Sequence, residues 1–371
     1  MKRVAFFLPV TSQPRYHKRI KAFQKAGYDN LIFSFERNYF KGDGDISSFI
    51  SLGKIEHEKY LKRMFKYLKV IKIIKDFKRQ IKECEIIYIF GLDLVLFIVI
   101  LSKLFGFKQK IIYEVADIRS IMIGNSFKSR MMRFLERKAI SKVNLTTVTS
   151  PYFIEGYYQK EQRIHSNNFF VLENKLYNLK NTRYCREMWN DNSPLVIGLF
   201  GVIRCKYSWN IICELAERYP NKINIYVRGY VLGIESFQSD VERLDNIVYE
   251  GEYTSPDDLA YIYSKIDICW VGNITNENLN TKLALPNRLY ESLYYRVPMV
   301  AHKGSGVSKR IEELDAGWIV DFKDVEGTIH SIISISKEDY QYKKKNTVVS
   351  DNLCVDSHDH LELIQKVQSN G

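Results

Sequence analysis

The chain has 371 residues, 46% of them hydrophobic, and 55 Lys/Arg against 43 Asp/Glu give a formal net charge of +12. This length exceeds one ordinary domain and the apolar fraction excludes a largely disordered chain, so two domains, each with its own core, are expected. The six cysteines, Cys84, Cys185, Cys205, Cys213, Cys269 and Cys354, are scattered, with no C-x-x-C pair and no signal peptide ahead of them; this argues for a reducing, cytoplasmic setting without structural zinc.

The charge is unevenly spread. Residues 1–175 carry 33 Lys/Arg against 16 Asp/Glu, a net of +17, and residues 176–371 carry 22 against 27, a net of −5. An AT-rich genome would raise lysine in both halves, so the asymmetry points to a polyanionic partner, either an acidic membrane surface or a nucleic acid.

Val4–Val10 reads as a strand, and Thr11–Gly27 as a loop and a helix closing at a glycine. Within that loop Arg15 and His17 either start a solvated helix or meet an anionic acceptor. Asn30–Phe35 is a second strand. Glu58–Glu85 reads as the most charged helix: Lys62, Arg63, Lys66, Lys69, Lys72, Lys75, Lys78, Arg79 and Lys82 form a stripe beside Leu61, Phe65, Leu68, Ile71, Ile74 and Ile81. Such a helix lies on anionic headgroups or packs its apolar face on its own domain. Ile86–Phe90 is a strand, and Leu92–Phe105 an apolar helix too short to span a bilayer. It is expected inside the domain, with Phe97 through Phe107 open to an interfacial role.

The strand Lys110–Val115 runs into Glu114, Asp117 and Arg119. Carboxylates at the carboxyl end of a strand stand where open α/β sheets take ligands, and Asp117 either joins such a site or caps the next helix. Ser126–Ala139 is a second basic amphipathic helix. Leu145–Ser150 and Phe169–Asn174 supply further strands, and the polar stretch Lys175–Ser193 reads as a hinge.

In the second half, Leu195–Val202 is a strand containing Gly201, followed by Arg204, Lys206 and a helix. A glycine there admits a phosphate close to the backbone and two cations neutralise a diphosphate; the bland reading is a turn with solvated charges. Ile223–Arg228 with Gly229 is the next strand and turn. Val248–Val271 reads as strand, loop, helix and strand, in which Tyr253 either stacks on a base or packs. Thr281–Gly306, TKLALPNRLYESLYYRVPMVAHKGSG, organises the rest. Pro286, at a first helical position, and Asn287 open a helix that Val297–Pro298 stops; Met299–Ala301 is a strand, and Gly304–Val307 turns into another helix whose free N–H groups bind phosphate. Leu289, Leu293 and Val297 form the apolar stripe. Glu291 lies off it, either solvated or accepting both hydroxyls of a ribose. A terminal helix surrounds His360–Val367.

The segment PNRLYESLYYRVPMVA with its following glycine turn resembles the nucleotide-sugar site of the large retaining glycosyltransferase family with the GT-B fold, in which two glutamates sit eight apart. Glu291 matches the second, held to bind the donor ribose, and Leu283 stands where the first would be. YEVADIRS resembles the family's Y-E-x-H-D-hydrophobic-R stretch, with Ala116 in place of the histidine. The resemblance implies an α/β, GT-B architecture of two Rossmann-like domains facing a cleft: an acceptor-binding domain over 1–175, a linker over 176–193, a donor-binding domain over 194–350, and a helix within 351–371 returning to the first domain. It implies retaining transfer from a nucleoside-diphosphate sugar to a lipid-linked or glycan acceptor, with no cofactor and no metal; the basic first half adds a peripheral place at the inner face of the membrane. Asp117, Arg204 and Lys206 then fall to catalysis; Glu291, Asn287, Gly201, Tyr253, Gly304, Gly306 and Val307 to the donor nucleotide; and Arg15 and His17 to the acceptor. A nucleic-acid partner is disfavoured, since no helix-turn-helix, zinc or RNP pattern occurs. Leu283 and Ala116 keep open a non-catalytic sugar-nucleotide-binding subunit, and an epimerase of the same fold is the remaining alternative.

Overall fold

A computed structural model describes residues 2–36, 46, 48–54, 69–166, 168–177, 179, 183, 185–186, 188–190, 192–275, 278–356 and 358–369. The chain divides into two compact units, Met1–Glu173 with His358–Gly371, and Asn174–Ser357.

In the first unit seven parallel strands, β1 (Lys2–Leu8), β2 (Tyr28–Glu36), β3 (Ile50–Lys54), β4 (Ile86–Phe90), β5 (Lys110–Val115), β6 (Leu145–Val148) and β7 (Phe169–Val171), lie in the order β3-β2-β1-β4-β5-β6-β7. Covering a parallel sheet on both faces buries every side chain of a central strand, and β4, IIYIF, is buried throughout. The order reverses between β1 and β4, where doubly wound sheets take ligands at the strands' carboxyl ends. The terminal helix Asp359–Ser369 packs on the helix Pro14–Lys25 and on β5, burying Leu363 and Val367.

The second unit holds β8 (Leu195–Ile203), β9 (Ile223–Val231), β10 (Ile247–Tyr249), β11 (Ile268–Trp270), β12 (Met299–His302) and β13 (Gly317–Val320), all parallel, in the order β10-β9-β8-β11-β12-β13. Its reversal lies between β8 and β11. The stretch expected as a linker falls within this unit, and its described residue Arg186 is held to it: Lys344 Nζ donates to the Arg186 carbonyl at 3.0 Å, and Arg186 Nε lies 2.8 Å from Asp267 Oδ1.

β8 and β9 do not stop at their glycines. Gly201 and Gly229 are paired across the ladder at φ +86° and +135°, and both strands continue to Ile203 and Val231. A Cβ on Gly229 would stand 1.9 Å from the Gly201 carbonyl oxygen, so only glycine permits this approach. Gly229→Ala is therefore expected to destabilise the second unit by about 3 kcal/mol in a denaturant titration; a change below about 0.5 kcal/mol would show that the ladder tolerates the clash.

The stretch Glu58–Glu85 is described only in part. Leu61, Lys62, Arg63, Phe65, Lys66 and Leu68 lie outside the described residues. In the part described, Lys69, Lys72, Lys75, Arg79 and Lys82 are exposed while Val70, Ile74 and Ile81 are fully buried. In this described part Ile74 and Ile81 of the apolar face pack into the protein's own core and Ile71 is half-buried.

Candidate functional site

The helix Asn287–Tyr295 places the central carboxylate of the second unit. Pro286 is its N-cap, at φ −75° and ψ 153°, not its first helical residue. The helix ends where Arg296 turns left-handed and the Val297 N–H returns to the Ser292 carbonyl at 2.9 Å. Leu289 through Tyr295 are all buried, so no solvated face exists there and Glu291 is only 4% exposed. Tyr263, stacked on Tyr295 at 5.1 Å, donates its hydroxyl to Glu291 Oε2 at 3.0 Å. Arg288 Nη1 donates to the Trp270 carbonyl at the end of β11, at 2.9 Å.

Tyr253 joins this group. Its hydroxyl lies 3.9 Å from where a Cβ of Gly201 would stand. Burial pushes its phenol well above the usual tyrosine range, and the Glu291 carboxylate adds to the shift while Arg288 opposes it. Gly201, Tyr253 and Glu291 thus converge near the carboxyl ends of β8 and β11, at the reversal of strand order.

The loops after those two strands are tied together. The Cys205 sulfur accepts from the Ser208 N–H at 3.5 Å and the Ile274 N–H at 3.4 Å, and Thr275 Oγ1 donates to the Arg204 carbonyl at 3.1 Å. The backbone is fixed while the Arg204 and Lys206 side chains stay exposed, neither in an ion pair among the described residues. Lys206 is the first residue of the helix Lys206–Arg218, and Asn287, also exposed, the first of its own. Beyond β12, Gly304 turns at φ +74° and Ser305 caps the helix Gly306–Leu314 in a reciprocal box with Ser308, both bonds 3.1 Å. The box takes the Ser308 N–H; those of Gly306 and Val307 have no protein partner among the described residues.

At its own reversal point the first unit has a cavity of about 110 Å³, lined by Pro9, Arg15, Gly91, Asp117, Arg119 and Glu136, among others. Arg15 Nη1 lies 3.7 Å from Asp117 Oδ2. Asp117 caps no helix, which removes its alternative reading: Ser126 is the N-cap of Phe127–Ile140, its Oγ accepting from the Ser129 N–H at 3.0 Å. His17 is not among the lining residues, and its Nε2 sits 3.1 Å from the Thr11 carbonyl. Glu114, in the same motif as Asp117, is a structural ion: Arg19 grips it from two nitrogens at 3.0 and 3.2 Å, and the Tyr88 hydroxyl donates at 2.5 Å.

Glu136 was not foreseen. From the helix Phe127–Ile140 it accepts from Tyr113 (3.3 Å), Tyr157 (2.9 Å), Tyr158 (3.2 Å) and Gln162 (2.5 Å), the middle two within the π-helical turn Ile154–Gln159. Burial raises its pKa above the usual carboxylate range, and the four donors oppose that rise. A carboxyl raised on folding contributes stability that is complete below the unfolded-state value and lost as the pH climbs through the folded-state one. Glu136→Gln is expected to flatten that fall above about pH 4 in stability-versus-pH curves; an unchanged slope would show that Glu136 does not set it.

No family model matches the chain. The succinoglycan biosynthesis protein ExoL of Rhizobium meliloti (strain 1021) is 30% identical over 230 residues, covering 60% of this chain and 57% of that protein. Among solved structures, sucrose-phosphate synthase from Thermosynechococcus elongatus matches with a TM-score of 0.70 at 14% identity, over 100% of this chain and 99% of that one. Anabaena Alr3699/HepE in complex with UDP and glucose matches with a TM-score of 0.69 at 12% identity, over the full length of both. The fold is GT-B. Its two Rossmann-like domains are the two units described, each with a single reversal of strand order, and the GT-B fold implied by PNRLYESLYYRVPMVA is the one observed. At these identities the likeness to solved structures is one of fold.

Proposed function

We propose that the protein is a glycosyltransferase that moves a sugar from a nucleoside-diphosphate donor to a lipid-linked or glycan acceptor in cell-surface polysaccharide or glycolipid synthesis, with retention and without a metal. The observation that carries this reading is Glu291, a carboxylate buried against Tyr263 and beside Tyr253 and Gly201 at the reversal of the second sheet. The UDP and glucose held by HepE, and the polysaccharide named in ExoL, support the donor class and the setting.

In this reading Glu291 accepts from the ribose hydroxyls, Tyr253 lies against the base, and Asn287 borders the donor at the start of its helix. Gly201 and Gly304 shape the backbone around the diphosphate. The N–H groups of Gly306 and Val307 and the side chains of Arg204 and Lys206 hold the charge that develops on the leaving phosphate, the electrostatic work a metal performs elsewhere. Arg15 and Asp117, facing each other in the first-unit cavity, meet the acceptor, Asp117 as the polar group of the reaction; His17 fixes the loop through Thr11. The protein works at the cytoplasmic face of the membrane, to which it is peripheral.

The test is release of nucleoside diphosphate from a panel of donor sugars in the presence of a lipid extract. Release that falls about a hundredfold in Arg204→Ala, with donor binding little changed, supports the reading. Binding without release for any donor would instead favour a non-catalytic sugar-nucleotide-binding subunit, the reading that Leu283 and Ala116 favour, since neither supplies the acid or imidazole of the resembled family.

A further inference from the structure

We propose that the outer face of the helices Leu92–Phe105 and Phe127–Ile140 docks the protein on an anionic lipid bilayer. This deepens the reading above by naming the surface that meets the membrane, and it rests on that reading for its purpose, delivery of a lipid-linked acceptor.

Leu92–Phe105, LDLVLFIVILSKLF, is apolar almost all round. One side goes into the domain through Leu94, Val95, Ile98 and Leu101, yet Ile100 and Leu104 remain 64% and 65% exposed. A helix apolar on every side is stable only when its outer face finds another apolar medium. The neighbouring helix packs alongside it and presents Phe127, Met131 and Phe134, 75%, 45% and 49% exposed, at spacings of four and three residues along one side. Five large apolar side chains therefore stand open on two adjacent helices.

Charge decides the occupant. Lys103, Lys128, Arg130 and Lys138 are exposed on the same two helices, and Lys138 Nζ lies 5.5 Å from the Phe134 ring. Their only acids are Asp93, half-buried with Arg119 at 3.9 Å, and Glu136, buried under its four donors. Apolar tips among cations, with no exposed carboxylate, match the boundary between acyl chains and anionic headgroups. A second copy would set lysine and arginine against lysine and arginine, which repel. The described part of residues 69–82 offers cations but no comparable apolar face, because Val70, Ile74 and Ile81 are buried.

Docking here is shallow. No helix among the described residues is long and apolar enough to cross a membrane. The same two helices wall the first-unit cavity through Leu92, Met132 and Glu136. An acceptor headgroup held in the bilayer would then need to rise by only about one helix diameter, roughly 10 Å, to reach it.

The experiment is sedimentation of the full chain with phosphatidylglycerol–phosphatidylcholine vesicles and with phosphatidylcholine vesicles alone. Three variants accompany the wild type: Ile100→Gln/Leu104→Gln/Phe127→Ser/Phe134→Ser, the charge variant Lys128→Glu/Lys138→Glu, and a control, Tyr342→Ser/Val348→Ser, at exposed positions of the second unit. The proposal expects binding to anionic vesicles that high salt releases, a loss of about tenfold or more in each of the first two variants, and no change in the control. Equal binding to neutral vesicles, no binding by the wild type, or wild-type binding by both face variants would overturn it. A wild-type dimer that becomes monomeric in the first variant would reassign the face to self-association and overturn it too. Nucleoside-diphosphate release with a detergent-solubilised acceptor keeps the two ideas apart: release without vesicle binding defeats the docking face alone, and vesicle binding without nucleotide binding defeats the transferase alone.

Discussion

Arg19→Ala is expected to destabilise the first unit by about 3–5 kcal/mol, because it strands a buried carboxylate. The Arg19 and Glu114 side chains are 1% and 0% exposed, and the guanidinium contacts both carboxylate oxygens. Once it is gone, Glu114 keeps only the Tyr88 hydroxyl among the donors described above. The same guanidinium donates to the Leu172 carbonyl at 3.2 Å and lies 3.2 Å from His360 Nε2 on the terminal helix. One residue of the first helix thus ties β5, the end of β7 and the returning terminal helix together. The double variant Arg19→Met/Glu114→Leu is expected to cost less than the single one, since replacing both charges by apolar groups removes the unpaired ion. Denaturant unfolding followed by circular dichroism measures both; a single-variant loss below about 1 kcal/mol would show that water reaches Glu114.

Glu291→Ala is expected to lower affinity for the donor nucleotide about 5- to 150-fold, the loss of about 1–3 kcal/mol in hydrogen bonds to a charged acceptor. The substitution also takes the acceptor from the buried Tyr263 hydroxyl, so a fall in stability should accompany it. Glu291→Gln separates the two effects, because the amide oxygen still accepts from Tyr263 while the charge is lost. If affinity falls in Glu291→Gln at near-normal stability, the carboxylate acts on the ligand. If stability falls and affinity does not, Glu291 serves the fold alone.

Both sheets were legible in the sequence because parallel strands buried on two faces are continuous apolar runs, as at Ile86–Phe90 and Leu195–Ile203. β3, ISLGK, was missed because a short edge strand with one fully buried residue carries almost no periodic signal. The helix of Glu291 was placed within a residue, but the surroundings of its carboxylate were not. The stripe left Glu291 either solvated or in a site, whereas Leu289 through Tyr295 are all buried, and Tyr263 comes from 28 residues upstream. Arg19 and Glu114 are 95 residues apart, so nothing local pairs them. The basic stripe of residues 62–82 was visible as charge, yet where its apolar partners go is a matter of tertiary packing. Five of the exposed apolar side chains are on the two helices Leu92–Phe105 and Phe127–Ile140.

The measurement that tests the central claim most directly is a thermal-shift titration of wild type and Glu291→Gln with UDP, GDP, CMP and dTDP and their sugars. A ligand that binds only the folded state raises the melting temperature, and a nucleotide at a hundredfold excess over its Kd should raise it by about 5 °C. The account predicts such a shift with one nucleoside diphosphate, lost or much reduced in Glu291→Gln. No shift with any nucleotide, or the same shift in wild type and variant, would contradict it.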